Sequence, residues 1–226
     1  MGNFNIYDKA IMIPAILIAF AFHEFAHAFV ADKLGDDTPR YEGRLTLNPA
    51  NHIEPAGFLM IIIFGFGWAK PVRTNPSAYR NYYRDDFWVS IAGPIANFLT
   101  SILFTIIFAF FLKYVDINMS QNSAINVFYD MINEVITLNV LLGFFNLLPI
   151  PGFDGFHALK DLFRGGLNNI EEKLWQIRPL LLIGAVYFAG NIISAPANLV
   201  IRWLSNIVNP VSYTHLRAHE TRSNLV

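Results

Sequence analysis

The chain contains no cysteine, which rules out disulfides and thiolate metal sites and leaves any metal to His, Asp and Glu. It is also poor in charge. Only 15% of its 226 residues are Asp, Glu, Lys or Arg, against roughly 25% in an ordinary soluble domain. The formal net charge is -1 and no basic block forms a phosphate-binding stripe, so nucleic acid is excluded as a partner. The apolar N-terminal stretch has only Lys9 before it and no small-residue cleavage site after it. Because charged residues also fall in its second half, it reads as a retained segment rather than a removed signal peptide.

What the chain does have is hydrophobic length. Hydrophobic residues make up 54% of it, and they fall in long runs, which points to lipid rather than a protein interior as their solvent. Crossing about 30 Å of hydrocarbon takes on the order of 20 apolar residues as helix. The runs Lys9–Leu34, Phe87–Lys113, Val127–Leu148 and Pro179–Leu204 meet that length. Pro55–Ala69 is shorter and is broken by Gly57, Gly65 and Gly67, so it reads as a re-entrant, interfacial or β-hairpin-like segment. The expected fold is an all-α integral membrane protein, a polytopic bundle of about four transmembrane helices plus that hairpin. Residues 212–226 change abruptly to hydrophilic composition and resemble a translated sequencing-adapter remnant. They are set apart as a non-native tail, with residues 1–211 as the functional domain and the native C-terminus left open.

Charge placement orients the bundle, because Lys and Arg collect in cytoplasmic loops. If the hairpin does not cross, one side holds Lys33, Arg40, Arg44, Lys70, Arg73, Arg80, Arg84, Lys160, Arg164, Lys173 and Arg178. Apart from the tail, the other side holds Lys9, Lys113 and Arg202. The first group is placed in the cytoplasm, and the protein is expected to be a multi-pass protein of the cell membrane.

The first span carries A-F-H-E-F-A-H-A-F, with His23, Glu24 and His27. Positions i and i+4 share a helix face, so both imidazoles can reach one metal while Glu24 points beside it toward a metal-bound water. Ionisable side chains in a membrane helix cost about 2.5–3.5 kcal/mol or more, so they persist when paired, hydrated or metal-bound. The bland alternative is a polar cluster that only hydrogen-bonds between helices. Catalytic zinc usually takes three protein ligands, and the best third candidate is Asp154 in F-N-L-L-P-I-P-G-F-D-G. Locally, a turn role for this Asp is as good a reading as a ligand role. Topology decides between them, because a non-crossing Pro55–Ala69 brings Asp154 to the same side of the membrane as the histidines, and a crossing one would separate them.

Five stretches in order resemble the site-2 protease family of intramembrane zinc peptidases: H-E-F-A-H at His23, G-R-L-T-L-N-P from Gly43, G-W-A-K-P-V from Gly67, A-G-P-I-A-N from Ala92, and F-N-L-L-P-I-P-G-F-D-G from Phe145. The resemblance implies one Zn2+ ion held by His23, His27 and Asp154, with Glu24 as catalytic acid/base. It also implies Asn146 as a group that steadies the substrate carbonyl or oxyanion. Gly152 and Phe153 depart slightly from the family's usual motif and imply a looser backbone there. The implied activity is hydrolysis of a peptide bond within or near the transmembrane segment of a membrane protein, in regulated intramembrane proteolysis, and the charge bias sets the site toward the cytoplasm.

A transmembrane helix hides its carbonyls in internal bonds, so a substrate must unwind before attack. Strand-like Arg44–Asn48, with Arg44, Leu45 and Thr46, or the hairpin residues Gly65, Gly67 and Trp68, are candidates to hold the unwound peptide by backbone pairing. Interfacial anchoring is the plainer role for both. His52 and Glu54 read first as loop hydrogen-bonding residues, Asn97 as a helix-to-helix contact and His157 as a ligand candidate ranked below Asp154. His215 and His219 lie in the tail and are assigned no metal. Two rivals are a metal-ion transporter or channel using the same residues, and an inactive membrane binding module. Homo-oligomerisation is left open.

Overall fold

Every fourth residue along the first apolar run is small or imidazole: Ala15, Ala19, His23, His27 and Ala31. In the computed structural model, which describes residues 6–64, 67–115 and 123–223 with the side chains of 186, 189 and 209–223 excepted, this run is helix α1 (Ile6–Lys33). All five of those residues are buried. Small side chains let a neighbouring backbone come close, which is how helices associate when lipid removes the hydrophobic drive between them. The stripe therefore delivers the two histidines straight into a helix–helix contact. A short turn of helix, α2 (Thr38–Tyr41), follows. It is held by buried Asp36, whose carboxylate accepts hydrogen bonds from Thr38 N at 2.9 Å and Asn75 N at 2.6 Å.

The Pro55–Ala69 segment turns back, as expected of a hairpin that does not cross. Its outward arm is helix α3 (Pro55–Phe64), and ten residues rise only about 15 Å, half the hydrocarbon thickness. The return arm is extended. Ala69 forms an antiparallel bridge with Ile53, and Lys70 N donates to the His52 carbonyl at 2.9 Å. The outward arm is therefore helical rather than β-like. Residues 44–48 are not a strand either. The chain bends there: Thr46 N donates to Arg44 O, Thr46 Oγ1 accepts from Asn48 N at 3.1 Å, and Asn48 then caps a 3-10 turn. Local side-chain bonds of this kind compete with strand pairing.

Helix α4 (Tyr82–Tyr114) begins several residues before its apolar run, because Asn81 caps it through Arg84 N while Asp85 reaches back to Asn81 N at 2.9 Å. It is the central helix and touches α1, α5 (Ser123–Asn146), α6 (Asp154–Leu162) and α8 (Arg178–Ser223), with α7 (Asn168–Gln176) joining the last two. Phe108, Ile132, Ile136, Val140, Ile193, Ala197 and Leu204 form the core between α4, α5 and α8. Helices α1, α4 and α5 are long and apolar enough to cross a membrane, and counting the two parts of α8, Arg178–Ala185 and Gly190–Val208, bent by 49°, as one span brings the number to four. The chain is an all-α polytopic membrane protein.

Helix α6 carries Asp154 at its first turn and is seated on α4 through a carboxyl pair. Buried Asp161 lies against Asp86, and burial first, then the Asp86 charge, push its carboxyl up to about 7. Between the ordinary value of 3.8 and about 7 the folded chain holds a proton that the unfolded chain has released, so stability falls as pH rises through that window. Asp161→Asn mimics the protonated form. In thermal melts in detergent it should raise Tm above wild type at pH 8 and match wild type at pH 4. A wild-type Tm that stays flat from pH 4 to 8 would contradict this placement.

Candidate metal centre

His23 and His27 lie one turn apart on α1, and their Nε2 atoms are 3.1 Å from each other. Asp154 Oδ2 lies 3.1 Å from the first and 3.4 Å from the second. The two histidines and Glu24 are buried, with exposures between 7% and 9%, so bulk water does not disperse the charge of this cluster.

The opposite ring nitrogens fix the protonation pattern. His27 Nδ1 is 2.7 Å from the Val89 carbonyl, which can only accept, so Nδ1 carries a proton and the neutral ring keeps its lone pair on Nε2. His23 Nδ1 meets Asn97 Oδ1 at 2.5 Å and is protonated in the same way. Two Nε2 lone pairs and a carboxylate oxygen therefore converge. Apart from the two rings, no donor among the described residues reaches Asp154 Oδ2, which is itself buried. Three acceptors held this close need a cation between them. The spacing also suits one: a tetrahedral ion with bonds of about 2.0–2.1 Å separates its ligands by about 3.3 Å, close to the 3.1, 3.1 and 3.4 Å found here. This is the group among the described residues that can hold a metal ion.

Backbone shape completes the cradle. Gly93 of α4 faces the histidines, and a Cβ there would lie 2.3 Å from His27 Nε2 and 2.5 Å from His23 Cε1. Gly152 has φ +95, a left-handed turn that glycine adopts without strain. The Arg178 guanidinium lies against it and stacks on Trp175 at 4.3 Å. Phe153 N then bonds Ile150 O at 3.0 Å. The P-G-F-D stretch is thus a braced turn rather than the looser backbone its departure from the motif implies.

Glu24 Oε2 accepts a hydrogen bond from Val72 N at 2.9 Å. The strap that carries this amide is pinned on both sides. Buried Arg44 donates to the Lys70, Pro71 and Asn51 carbonyls, and Asp36 holds Asn75 N. The side chain of Arg44 is therefore committed to the strap's backbone. Leu45 is half-buried, and Thr46 bonds Asn48 and His52 as part of the bend. Trp68 is exposed on the return arm beside half-buried Gly67, and Gly65 lies outside the described residues. Asn146 ends α5, with Nδ2 donating to Leu142 O at 3.1 Å. His52 bonds the Thr46 carbonyl at 2.8 Å. Sequence reasoning did not single out Gly93, the Val89 carbonyl or the Val72 amide. The A-G-P-I-A-N stretch held a signal for Gly93, whereas backbone groups leave none.

A helical membrane bundle that brings two imidazoles, a carboxylate and a glutamate to one buried point has the makings of a metallopeptidase. The sequence profile of peptidase family M50 matches residues 11–186. YwhC of Bacillus subtilis (strain 168) is 36% identical over 172 residues, covering 74% of this chain and 77% of that protein. Rip2 of Mycolicibacterium smegmatis is 34% identical over 158 residues, 66% of this chain and 56% of its own length. MJ0611 of Methanocaldococcus jannaschii is 28% identical over 191 residues, 82% of this chain and 83% of its own. All three carry zinc metalloprotease as a provisional name. No solved structure gives a significant match. The chain belongs to peptidase family M50.

Gly93→Ala tests the cradle, because its methyl group takes the space between the imidazoles. Bound metal in the purified protein should drop to well under one tenth of an equivalent per chain, an order-of-magnitude expectation from the close contact, with the helical circular dichroism retained. Full metal occupancy in that variant would show that the ion sits elsewhere.

Proposed function

We propose that the chain is a zinc-dependent endopeptidase that hydrolyses a peptide bond within or near the transmembrane segment of membrane protein substrates. His23, His27 and Asp154 are the ligands of one Zn2+ ion in this reading, and Glu24 is the catalytic acid/base. The observation that carries it is the convergence of three donor-less acceptor atoms beside that glutamate in a membrane helix. The names of the relatives supply the choice of zinc. The Lys/Arg bias supports a cell-membrane protein with its site toward the cytoplasm, where water is at hand. Residues 1–211 make up the catalytic unit, with 212–226 outside it. Regulated intramembrane proteolysis is the process this activity serves.

Zinc in this site supplies Lewis acidity, polarising the scissile carbonyl and making water acidic enough to lose a proton near neutral pH. Glu24 takes a proton from the attacking water and hands it to the departing amine, work that contributes typically 10²–10⁴-fold to rate. The Val72 amide, held by the Arg44-braced strap, fixes one carboxylate oxygen of Glu24. An Asn146 side-chain N–H donates to the oxyanion, its partner hydrogen being held by Leu142 O. The substrate must arrive unwound, and the return arm at Gly67 and Trp68 is the surface for it, with Gly65 and the bend residues Arg44, Leu45 and Thr46 as further candidates to contact it.

A transporter would need ligands that release the ion but has no use for Glu24. Glu24→Gln should cut hydrolysis of a transmembrane reporter by about 1,000-fold while one zinc per chain is retained. Undiminished cleavage would remove Glu24 from the mechanism. Loss of zinc with loss of cleavage would leave its acid/base role unsupported.

A further inference from the structure

The proton on His27 Nδ1 is fixed directly by a backbone carbonyl, but His23 Nδ1 faces a side-chain amide, and an amide can turn round. Asn97 Oδ1 must face the ring for Nδ1 to hold the proton. If Asn97 turned by 180°, its NH2 would donate to Nδ1 and push the proton onto Nε2. There it would bond Asp154 Oδ2, 3.1 Å away, and the lone pair needed for a metal would be gone. That tautomer is a real competitor in the metal-free protein, because it satisfies the same buried carboxylate.

The group that decides lies one helix further out. Asn97 Nδ2 donates to Asn139 Oδ1 at 3.1 Å, and Asn139 Nδ2 donates to the Val135 carbonyl at 2.8 Å. Both asparagines are 0% exposed. The Val135 carbonyl accepts and cannot donate, so Asn139 has one orientation, with Nδ2 toward it and Oδ1 toward Asn97. Turning Asn139 would set two oxygens against each other in a buried site and leave the Asn139 oxygen there without a donor. Asn97 must then present Nδ2 to Asn139 and Oδ1 to His23. The direction of each bond follows from the one before it, starting at a backbone group on α5 and ending at a ring on α1.

We propose that Asn139 is a positioning residue that sets the tautomer of His23 through Asn97, keeping Nε2 open for metal. This rests on reading His23 as a zinc ligand. Asn139 touches neither metal nor substrate, and its effect is electrostatic polarity passed along a chain of hydrogen bonds.

The test uses the full chain in detergent, with histidine nitrogens labelled with 15N, in Asn139→Leu, Asn139→Ala and Asn97→Asp/Asn139→Leu. In metal-free wild type the His23 ring should show a protonated Nδ1 and a bare Nε2. In Asn139→Leu and Asn139→Ala the signal should move toward protonated Nε2, and zinc affinity in a chelator competition should fall about 10- to 100-fold, the range for lost outer-sphere partners of metal-ligating histidines. A carboxylate at position 97 presents an oxygen to Nδ1 whichever way it turns. The double variant should therefore recover the wild-type tautomer and most of the lost affinity, which no purely structural role for Asn139 would produce.

Wild-type His23 protonated at Nε2 in the metal-free protein would overturn the proposal whether or not any variant folds. An unchanged tautomer and affinity in either single variant would also overturn it. If wild type takes up no zinc, the ligand reading fails, and the nitrogen spectra of the metal-free protein still report on the relay separately.

Discussion

Three acceptor atoms with no donor among them, held about 3 Å apart inside a helix bundle, are the constraint around which this molecule is arranged. Such an arrangement is unfavourable by itself, since buried lone pairs repel and are cut off from water. It persists because each member is fixed from behind. The Val89 carbonyl and Asn97 hold the rings, and a left-handed turn braced by Arg178 presents Asp154. A cation set between the three atoms relieves that repulsion, which is why ligand geometry and metal affinity are coupled here.

Bringing those atoms together is a problem of topology before it is one of chemistry. The histidines sit in the second half of α1, and Asp154 follows the end of α5, with α4 running between them. They meet because α3 rises and its chain returns instead of crossing. The return strap then serves a second purpose, since its Val72 amide holds Glu24 and its carbonyls are gripped by buried Arg44. One segment too short to span a membrane thus sets both the side on which Asp154 emerges and the posture of the glutamate.

The parts that depend on solvent were legible in the sequence. Three of the four apolar runs gave helices within a few residues of their hydropathy limits, with the Asn81 cap extending α4 outside its apolar stretch, whereas α8 continues to Ser223, well past Leu204. The histidine pair was legible because it obeys helical spacing, and Asp154 because charge bias and topology agreed. What could not be read was set by tertiary contact. Arg44 sits in a stretch that looked strand-like, yet its side chain is spent on carbonyls from 7 to 27 residues away. Gly93 is one glycine among 14, and only the imidazoles opposite give it meaning. Backbone donors and acceptors such as Val72 N and Val89 O have no letter of their own.

X-ray absorption at the zinc edge of the purified, zinc-loaded chain addresses the centre most directly. Two imidazoles and oxygen, with no sulfur, at about 2.0–2.1 Å in a four-coordinate shell would match the geometry described. A shell with one imidazole or none would mean that α1 and α6 do not share an ion, and the account of this site would fall.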